Sequence, residues 1–157
     1  MILIIGGDKK ICINNIIESW QMKKNLITII SDDDEGHTIL IKKNLQRVGI
    51  KNNILNFKNG EETLNYLKKK KRENLKKSNY LLLLDIRMPK INGIEVLQKI
   101  KRDQKLNTIP VIIITTTDDP KEIDLCNELG CVDYLVKPID YEKFSKAIYS
   151  LGIMNGE

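Results

Sequence analysis

The chain has 157 residues, the usual size of one domain, and 41% of them are hydrophobic. Its 26 basic and 21 acidic residues give a net charge of +5, but many of the lysines lie in one stretch, 68–77, so charge alone is weak evidence for a nucleic-acid partner. The apolar runs are far shorter than the roughly 18 residues that a membrane span needs. The cysteines, Cys12, Cys126 and Cys131, are too irregularly spaced for a disulfide framework or a four-ligand zinc site, which favours the reducing cytoplasm.

From residue 26 onward, short apolar runs alternate with amphipathic stretches. The apolar runs predict strands over 26–30, 53–57, 80–84, 111–114 and 132–136. The helical spacing of apolar residues predicts helices over 36–48, 61–72, 94–100, 122–129 and 144–151. Gly130, directly after the fourth of these helices, is a typical residue at a helix end. The chain is therefore expected to contain five strand–helix units in succession.

Strands that alternate with helices indicate the α/β class. Each strand is expected to be apolar on both sides, which is typical of a parallel sheet covered by helices on both faces. In such open sheets, ligands bind beyond the carboxyl ends of the strands, at the point where the strand order reverses. The residues that follow the strands are therefore the candidates for a functional site.

The carboxyl ends of four predicted strands bear polar residues that could hold a phosphoryl group. These are Asp32 and Asp33 after the first strand, Asp85 after the third, Thr115 at the fourth and Lys137 at the fifth. Clustered carboxylates repel one another unless a cation lies among them, and oxygen ligands suit Mg²⁺. Asp85 could itself accept the phosphoryl group, because aspartyl phosphates are known covalent intermediates. Helix capping is the ordinary explanation for any one of these acidic residues, but it does not account for the pattern over four strands.

The segment 81–97, LLLLDIRMPKINGIEVL, resembles the most recognisable stretch of the receiver domains of two-component response regulators. Segments 30–34, 109–116 and 130–138 support the resemblance, which extends over roughly 26–152. It implies a chemotaxis-regulator-like domain with a five-stranded parallel sheet, helices on both faces and the flavodoxin-like strand order 2-1-3-4-5.

The resemblance also implies the roles of the acidic residues. Asp85 would be the phospho-acceptor for a sensor histidine kinase. Asp32, Asp33 and Asp85 would hold Mg²⁺, together with the backbone carbonyl of Arg87. The domain would thus be a phosphorylation switch limited to its own phosphorylation and dephosphorylation, and not a turnover enzyme.

Four further residues receive roles from the resemblance. Lys137 would pair with the phosphoryl oxygens, and Thr115 would hydrogen-bond one of them. Tyr134 would be the switch aromatic, which turns inward when Thr115 moves. Pro138 would follow a cis peptide bond.

The expected output is a phosphorylation-controlled protein contact. Only 153–157 follow the predicted receiver, so a stand-alone receiver is expected. Helix 4, strand 5 and helix 5 form the usual contact face of relatives, and they would bind a second copy or a downstream target protein. Neither a nucleic acid nor a membrane is an expected partner.

Two segments depart from the plainest receiver. Residues 1–25 form an extension with a possible strand over 2–5 and a helical apolar stripe through Ile13, Ile16, Ile17 and Trp20. The extension could dock, dimerise or pack on the receiver, or translation could begin at Met22, and the choice stays open. The basic segment 68–79 is longer than the usual connection between helix 2 and strand 3 of a receiver. In this respect the chain is similar to the stand-alone receivers that partner bacterial phytochrome-type kinases. A solvated helix extension is favoured for it over a binding site for an anionic partner.

Three other functions were weighed. A Mg²⁺-dependent aspartyl phosphatase would carry a second aspartate two residues after the nucleophile, where this chain has Arg87. A flavin or nucleotide binder would need a glycine-rich phosphate loop after the first strand. A degenerate receiver that acts as a scaffold is disfavoured by the intact Asp85, Thr115 and Lys137. The single histidine, His37, is expected at the surface or in a helix cap.

Overall fold

Five strands and five helices alternate along the part of the chain that the computed structural model describes, residues 25–51, 53–75 and 79–152. The strands are β1 (Leu26–Ser31), β2 (Ile54–Phe57), β3 (Asn79–Leu84), β4 (Val111–Thr115) and β5 (Asp133–Val136). The helices are α1 (Glu35–Arg47), α2 (Gly60–Glu73), α3 (Gly93–Arg102), α4 (Pro120–Glu128) and α5 (Tyr141–Ser150). Every element expected from residue 26 onward is therefore present, with ends that differ by a few residues.

Several predictions concern residues outside the described ranges. They are the strand and the helical stripe within 1–24, the end of the basic segment at 76–78 and the tail at 153–157. The domain limits proposed from the sequence therefore stay predictions. Among the described helices, none has the length and apolar character that crossing a bilayer requires.

The five strands form one parallel sheet in the order β2-β1-β3-β4-β5. This confirms the predicted α/β fold and its strand order. The order reverses between β1 and β3, which are neighbours with Ser31 opposite Leu84. The residues that follow these two strands are therefore adjacent at the carboxyl edge of the sheet, where ligands bind in folds of this kind.

Apolar side chains cover both faces of the sheet. Along β3, Leu81 and Leu83 belong to the core shared with α1 and α5, whereas Leu82 and Leu84 belong to the core shared with α2, α3 and α4. Successive side chains of a strand point to opposite faces. The buried part of β3, from Tyr80 to Leu84, is consequently apolar at successive positions.

The edge strand β2 does not follow this rule. Its four residues are all half-buried, so the expectation that every strand is apolar on both faces is wrong here. An edge strand has only one neighbouring strand, and a polar side chain is tolerated in it. Asn56 uses its amide nitrogen to donate to the carbonyl of Ile30 in β1, at 3.0 Å.

Every helix among the described residues begins with an aspartate or asparagine whose side chain accepts a backbone N–H of the first turn. These N-caps are Asp34, Asn59, Asn92, Asp119 and Asp140. Such a cap satisfies one of the N–H groups that a helix start leaves unpaired. The strand-end carboxylates Asp32, Asp33 and Asp85 are not among the caps, so capping does not explain them.

The first part of the basic segment continues a helix. α2 extends to Glu73, and Lys70 pairs with this residue at 2.9 Å. Lys71 lies 2.6 Å from Asp103 after α3. The predicted helix extension is thus confirmed as far as Glu73, and a partner for this surface stays a prediction.

Candidate functional site

Three carboxylates meet where β1 and β3 end. The backbone N–H of Asp85 donates to the carbonyl of Ser31 at 2.9 Å, which brings the residue after β3 against the end of β1. Asp32 and Asp85 are buried, with 2% and 6% of their surface exposed, whereas Asp33 is exposed. Each of the three offers a carboxylate oxygen, and these oxygens lie within 4.8 Å of one another. The edge of the sheet therefore concentrates negative charge at one point.

A buried ammonium group partly compensates this charge. Lys137 follows β5, its side chain is 5% exposed, and its Nζ lies 2.6 Å from Asp32 Oδ2 and 3.4 Å from Asp85 Oδ2. Burial nevertheless raises the pKa of Asp32, and the charge of Asp85 raises it further, against the lowering by Lys137 and by the backbone N–H of Asp34. The negative charge of Asp32 is thus only partly compensated, because the carboxylate still binds a proton more readily than it would in water.

The donor set fits a hard divalent cation. It consists of carboxylate oxygens alone, which suits Mg²⁺ better than softer metals. The raised pKa of Asp32, which comes mainly from burial and to a small extent from the charge of Asp85, agrees with this, since a bound cation would stabilise the buried carboxylate. The backbone of Arg87 also lies at the cluster, because its N–H donates to Asp85 Oδ1 at 3.3 Å. A role for its carbonyl as a ligand stays a prediction.

Thr115 ends β4 with an unsatisfied hydroxyl. The residue is fully buried, and its Oγ1 has no hydrogen-bond partner among the described residues. An unpaired buried hydroxyl is unfavourable and is unusual in folded proteins. Its carbonyl accepts the backbone N–H of Lys137 at 2.8 Å, and the peptide bond between Lys137 and Pro138 is cis. The last residues of β4 and β5 thus lie side by side at the same edge as the carboxylates.

Tyr134 is half-buried on β5 and is tied to the loop after β4. Its phenol donates to the carbonyl of Thr117 at 2.9 Å. Burial, with smaller contributions from Cys126 and Glu122, raises the pKa of Tyr134 to about 12. The phenol is therefore protonated at neutral pH and remains a hydrogen-bond donor to this loop.

Residues behind the cluster leave little free space. The hydroxyls of Ser31 and Thr63 are 2.6 Å apart and buried, and Ser31 also contacts the sulfur of Met88 at 3.3 Å. A Cβ atom at Gly93, the first residue of α3, would overlap the carbonyl oxygen of Asp85. Only glycine fits here, because the start of α3 lies directly against the backbone of Asp85.

The position of His37 could not be predicted from the hydrophobic pattern of the sequence. Its Nδ1 lies 2.7 Å from Lys137 Nζ, although the side chain is 35% exposed and a surface or capping role was expected. An ammonium group only donates hydrogen bonds, so Nδ1 accepts here and the ring proton is assigned to Nε2. One signal was available: His37 lies in the first turn of α1, four residues after Asp33, and therefore near the carboxyl edge.

A second contact was also missed. Arg87 Nη2 lies 2.8 Å from Glu122 Oε1, which links the loop after β3 to the first turn of α4. The two residues are 35 positions apart, and nothing in the hydrophobic periodicity of either segment indicates that they meet. The backbone carbonyl of Arg87 was expected at the metal, and the residue itself argues against the phosphatase pattern, but no partner was expected for its side chain.

Comparison with known proteins gives a consistent result. The family model described as "Response regulator receiver domain" matches residues 28–149. The chain is 30% identical to the probable methanogenesis regulatory protein FilR2 of Methanothrix harundinacea over 78% of each protein. It is 36% identical to the alkaline phosphatase synthesis transcriptional regulatory protein PhoP of Bacillus subtilis, over 74% of this chain but only 43% of PhoP.

Solved structures show the same similarity. A response regulator receiver domain from Rhodospirillum rubrum has a TM-score of 0.66 and 39% identity, over 81% of this chain and 91% of that one. The bacteriophytochrome response regulator RtBRR has a TM-score of 0.69 and 30% identity, over 83% of this chain and 79% of that one. Receivers associated with phytochromes are thus among the structures that this chain resembles.

Proposed function

Because the chain belongs to the response regulator receiver domain family of two-component signalling, we propose that it is a switch that accepts a phosphoryl group on Asp85 from a sensor histidine kinase. The observation that supports this most directly is the buried cluster at the ends of β1 and β3. Asp85 is 6% exposed, its Oδ2 is 3.4 Å from Lys137 Nζ, and the cluster includes oxygens of Asp32 and Asp33.

The proposed reaction is a displacement at phosphorus. A carboxylate oxygen of Asp85 attacks the phosphorus of the phosphohistidine, a P–O bond forms, the P–N bond breaks, and the imidazole leaves with its electron pair. Such transfers need alignment and neutralisation of the phosphoryl oxygens more than covalent help. The ammonium of Lys137 supplies positive charge, and the hydroxyl of Thr115, which lacks a hydrogen-bond partner among the described residues, can donate to one oxygen.

Mg²⁺ is the proposed cofactor. Asp32, Asp33 and Asp85 would hold it, with the backbone carbonyl of Arg87, and the bound ion would neutralise charge on the phosphoryl oxygens. The all-oxygen donor set and the raised pKa of Asp32 support this choice.

We propose that Thr115 and Tyr134 convert phosphorylation into a change of shape. The buried hydroxyl of Thr115 gains a partner when it turns to the phosphoryl group, which would draw the loop after β4 toward Asp85. The phenol of Tyr134 is bonded to Thr117 in that loop, so the tyrosine would have to move with it. Phosphorylation adds close to two negative charges and strong acceptors, enough to bias such a local rearrangement.

The surface formed by α4, β5 and α5 is the proposed output face. Six large apolar side chains are exposed among the described residues, and four of them lie on these elements or directly before β5: Leu125, Val132, Val136 and Tyr149. Exposed apolar residues that gather on one part of a surface often mark a protein contact. The partner would be a second copy or a downstream target protein, rather than a nucleic acid, and the cytoplasm is the proposed compartment.

The proposal is tested by incubation with acetyl phosphate, with and without Mg²⁺, followed by intact-mass measurement. The expected result is a Mg²⁺-dependent gain of one phosphoryl group that is absent in Asp85→Asn. Asp124→Asn removes an exposed carboxylate of α4 and should behave like the wild type. If the wild type gains no phosphoryl group from either acetyl phosphate or phosphoramidate, and binds no beryllofluoride, the switch function is wrong and a scaffold role takes its place.

A further inference from the structure

Arg87 touches both the acceptor and a helix of the proposed output face. Its backbone N–H donates to Asp85 Oδ1 at 3.3 Å, and its guanidinium lies 2.8 Å from Glu122 Oε1 in the first turn of α4. The side chain of Arg87 is 64% exposed, whereas that of Glu122 is only 18% exposed. An exposed cation is therefore paired with a largely buried anion.

The ion pair with Arg87 engages only one oxygen of the Glu122 carboxylate. Its second carboxylate oxygen, Oε2, is buried and has no hydrogen-bond partner among the described residues. A largely buried carboxylate that loses its cation keeps the cost of desolvation without the compensating attraction. The first turn of α4 is thus held in place by a contact from the loop that bears Asp85.

A phosphoryl group on Asp85 would compete for the same guanidinium. It carries more negative charge than one carboxylate, and its oxygens match the two-pronged geometry of arginine. Arg87 is two residues from Asp85, with its backbone already bonded to that carboxylate. An ion pair with an exposed partner is weak, so a nearby dianion can displace Glu122.

We propose that Arg87 exchanges partners when Asp85 is phosphorylated, leaving Glu122 for the phosphoryl group, and thereby releases the first turn of α4. This inference rests on the proposed function of Asp85. It adds a second route from the phosphorylation site to the output face, beside the one through Thr115 and Tyr134. In the unmodified protein the pair holds α4 in place. In the phosphorylated protein Arg87 binds phosphoryl oxygens, and Glu122 moves toward solvent.

If Arg87 must leave Glu122, then Glu122 slows phosphorylation. A double-mutant cycle of Arg87 and Glu122 can measure this effect on the rate. Glu122→Gln keeps the shape of the side chain and frees Arg87 beforehand. Phosphorylation by acetyl phosphate should therefore become about two- to fivefold faster, the factor that corresponds to breaking a partly exposed ion pair. The gain should vanish in the Arg87→Gln background, since no guanidinium is left to release. Glu128→Gln, an exposed change on the same helix, should leave the rate unchanged.

Hydrogen exchange gives an independent readout. Beryllofluoride with Mg²⁺ should raise the exchange of amides at the start of α4 in the wild type by a similar factor, whereas Glu122→Gln should exchange fast in both states. An equal rate gain in the Arg87→Gln background, or no gain with Glu122→Gln, would overturn the partner exchange even though Asp85 is phosphorylated. If the wild type is not phosphorylated at all, the proposed function itself fails, which is a different outcome.

Discussion

Asp32 is a carboxylate whose ionised form the metal-free fold disfavours. Burial is the main reason that its pKa is raised, and the charge of Asp85 adds to the effect. A raised pKa in the folded state contributes stability that is present below the unfolded pKa and is lost as the pH rises through the folded pKa. Above its folded pKa the ionised Asp32 is therefore a destabilising group, and a bound cation would offset its charge.

We accordingly expect Asp32→Asn to raise the unfolding temperature of the metal-free protein at neutral pH, measured by calorimetry in EDTA. The same variant should lose most of the further rise that Mg²⁺ gives the wild type, because ligand binding to the folded state stabilises it. The wild-type response should also fade as the pH falls through the raised pKa of Asp32. Asp118→Asn, an exposed change outside the cluster, is the matched control. A wild type that is indifferent to millimolar Mg²⁺ would contradict the metal site.

The residues at strand ends could be predicted, and their side-chain partners could not. Asp85 and Lys137 come directly after apolar runs, so the periodicity that predicts the strands also predicts which edge these residues occupy. His37 meets Lys137 although 100 positions separate them. This contact depends on the orientation of α1 on the sheet and on the rotamers of the two side chains. The spacing of apolar residues gives no information on either.

At the scale of elements, the start of α3 is set by its contact with the loop after β3. The backbone N–H of Gly93 donates to the carbonyl of Ile86 at 2.9 Å, and any Cβ at Gly93 would overlap the backbone of Asp85 and Ile86. Backbone atoms cannot move aside as the end of a flexible side chain can. The helix start and the acceptor loop are therefore closely packed, and this contact restricts the backbone from which Asp85 projects.

We expect Gly93→Ala to lower the free energy of unfolding by about 1–3 kcal/mol, the usual cost of overpacking a closed site. It should slow phosphorylation as well, because α3 can relieve the overlap only by displacing the Asp85 backbone. Urea denaturation and the acetyl phosphate assay measure the two effects. Gly36→Ala is the comparison, since its Cβ would meet only the side chain of Asp34, at 3.1 Å. Equal stability of the two variants would show that the loop has more freedom than this contact allows.

Helix boundaries illustrate a related limit of prediction. The first turn of α4 begins at Pro120, two residues before the predicted start, because Asp119 caps it. Apolar spacing detects the buried middle of a helix but not a polar first turn. Glu122 is the predicted first residue of this helix, but its pairing with Arg87 was not predicted, because apolar spacing gives no information on contacts between polar side chains. The elements were predictable from burial, whereas the contacts between their polar ends required the assembled structure.

At the scale of the whole molecule, the two edges of the sheet have different surroundings. β2 is bordered by polar contacts such as that of Asn56, whereas β5 lies between helices with exposed apolar side chains, including Leu125 of α4 and Tyr149 of α5. Phosphorylation acts at the carboxyl ends of the inner strands, and its proposed routes, through Tyr134 and through Glu122, both lead toward β5 and α4. The chemistry and the candidate contact surface thus lie on connected elements.

This arrangement predicts self-association on activation through the face of α4, β5 and α5. Light scattering should give a monomer for the unmodified protein and a dimer after addition of beryllofluoride and Mg²⁺. Val132→Glu places a charge on a side chain that is 42% exposed beside β5, and it should keep the activated protein monomeric while the mass gain from acetyl phosphate persists. Ile39→Glu makes a similar change on α1, at a side chain that is 54% exposed, and should still allow the dimer. A wild type that stays monomeric in both states would exclude the homodimer, because a contact between copies must appear in the purified protein, and would leave a separate target protein as the partner of this face.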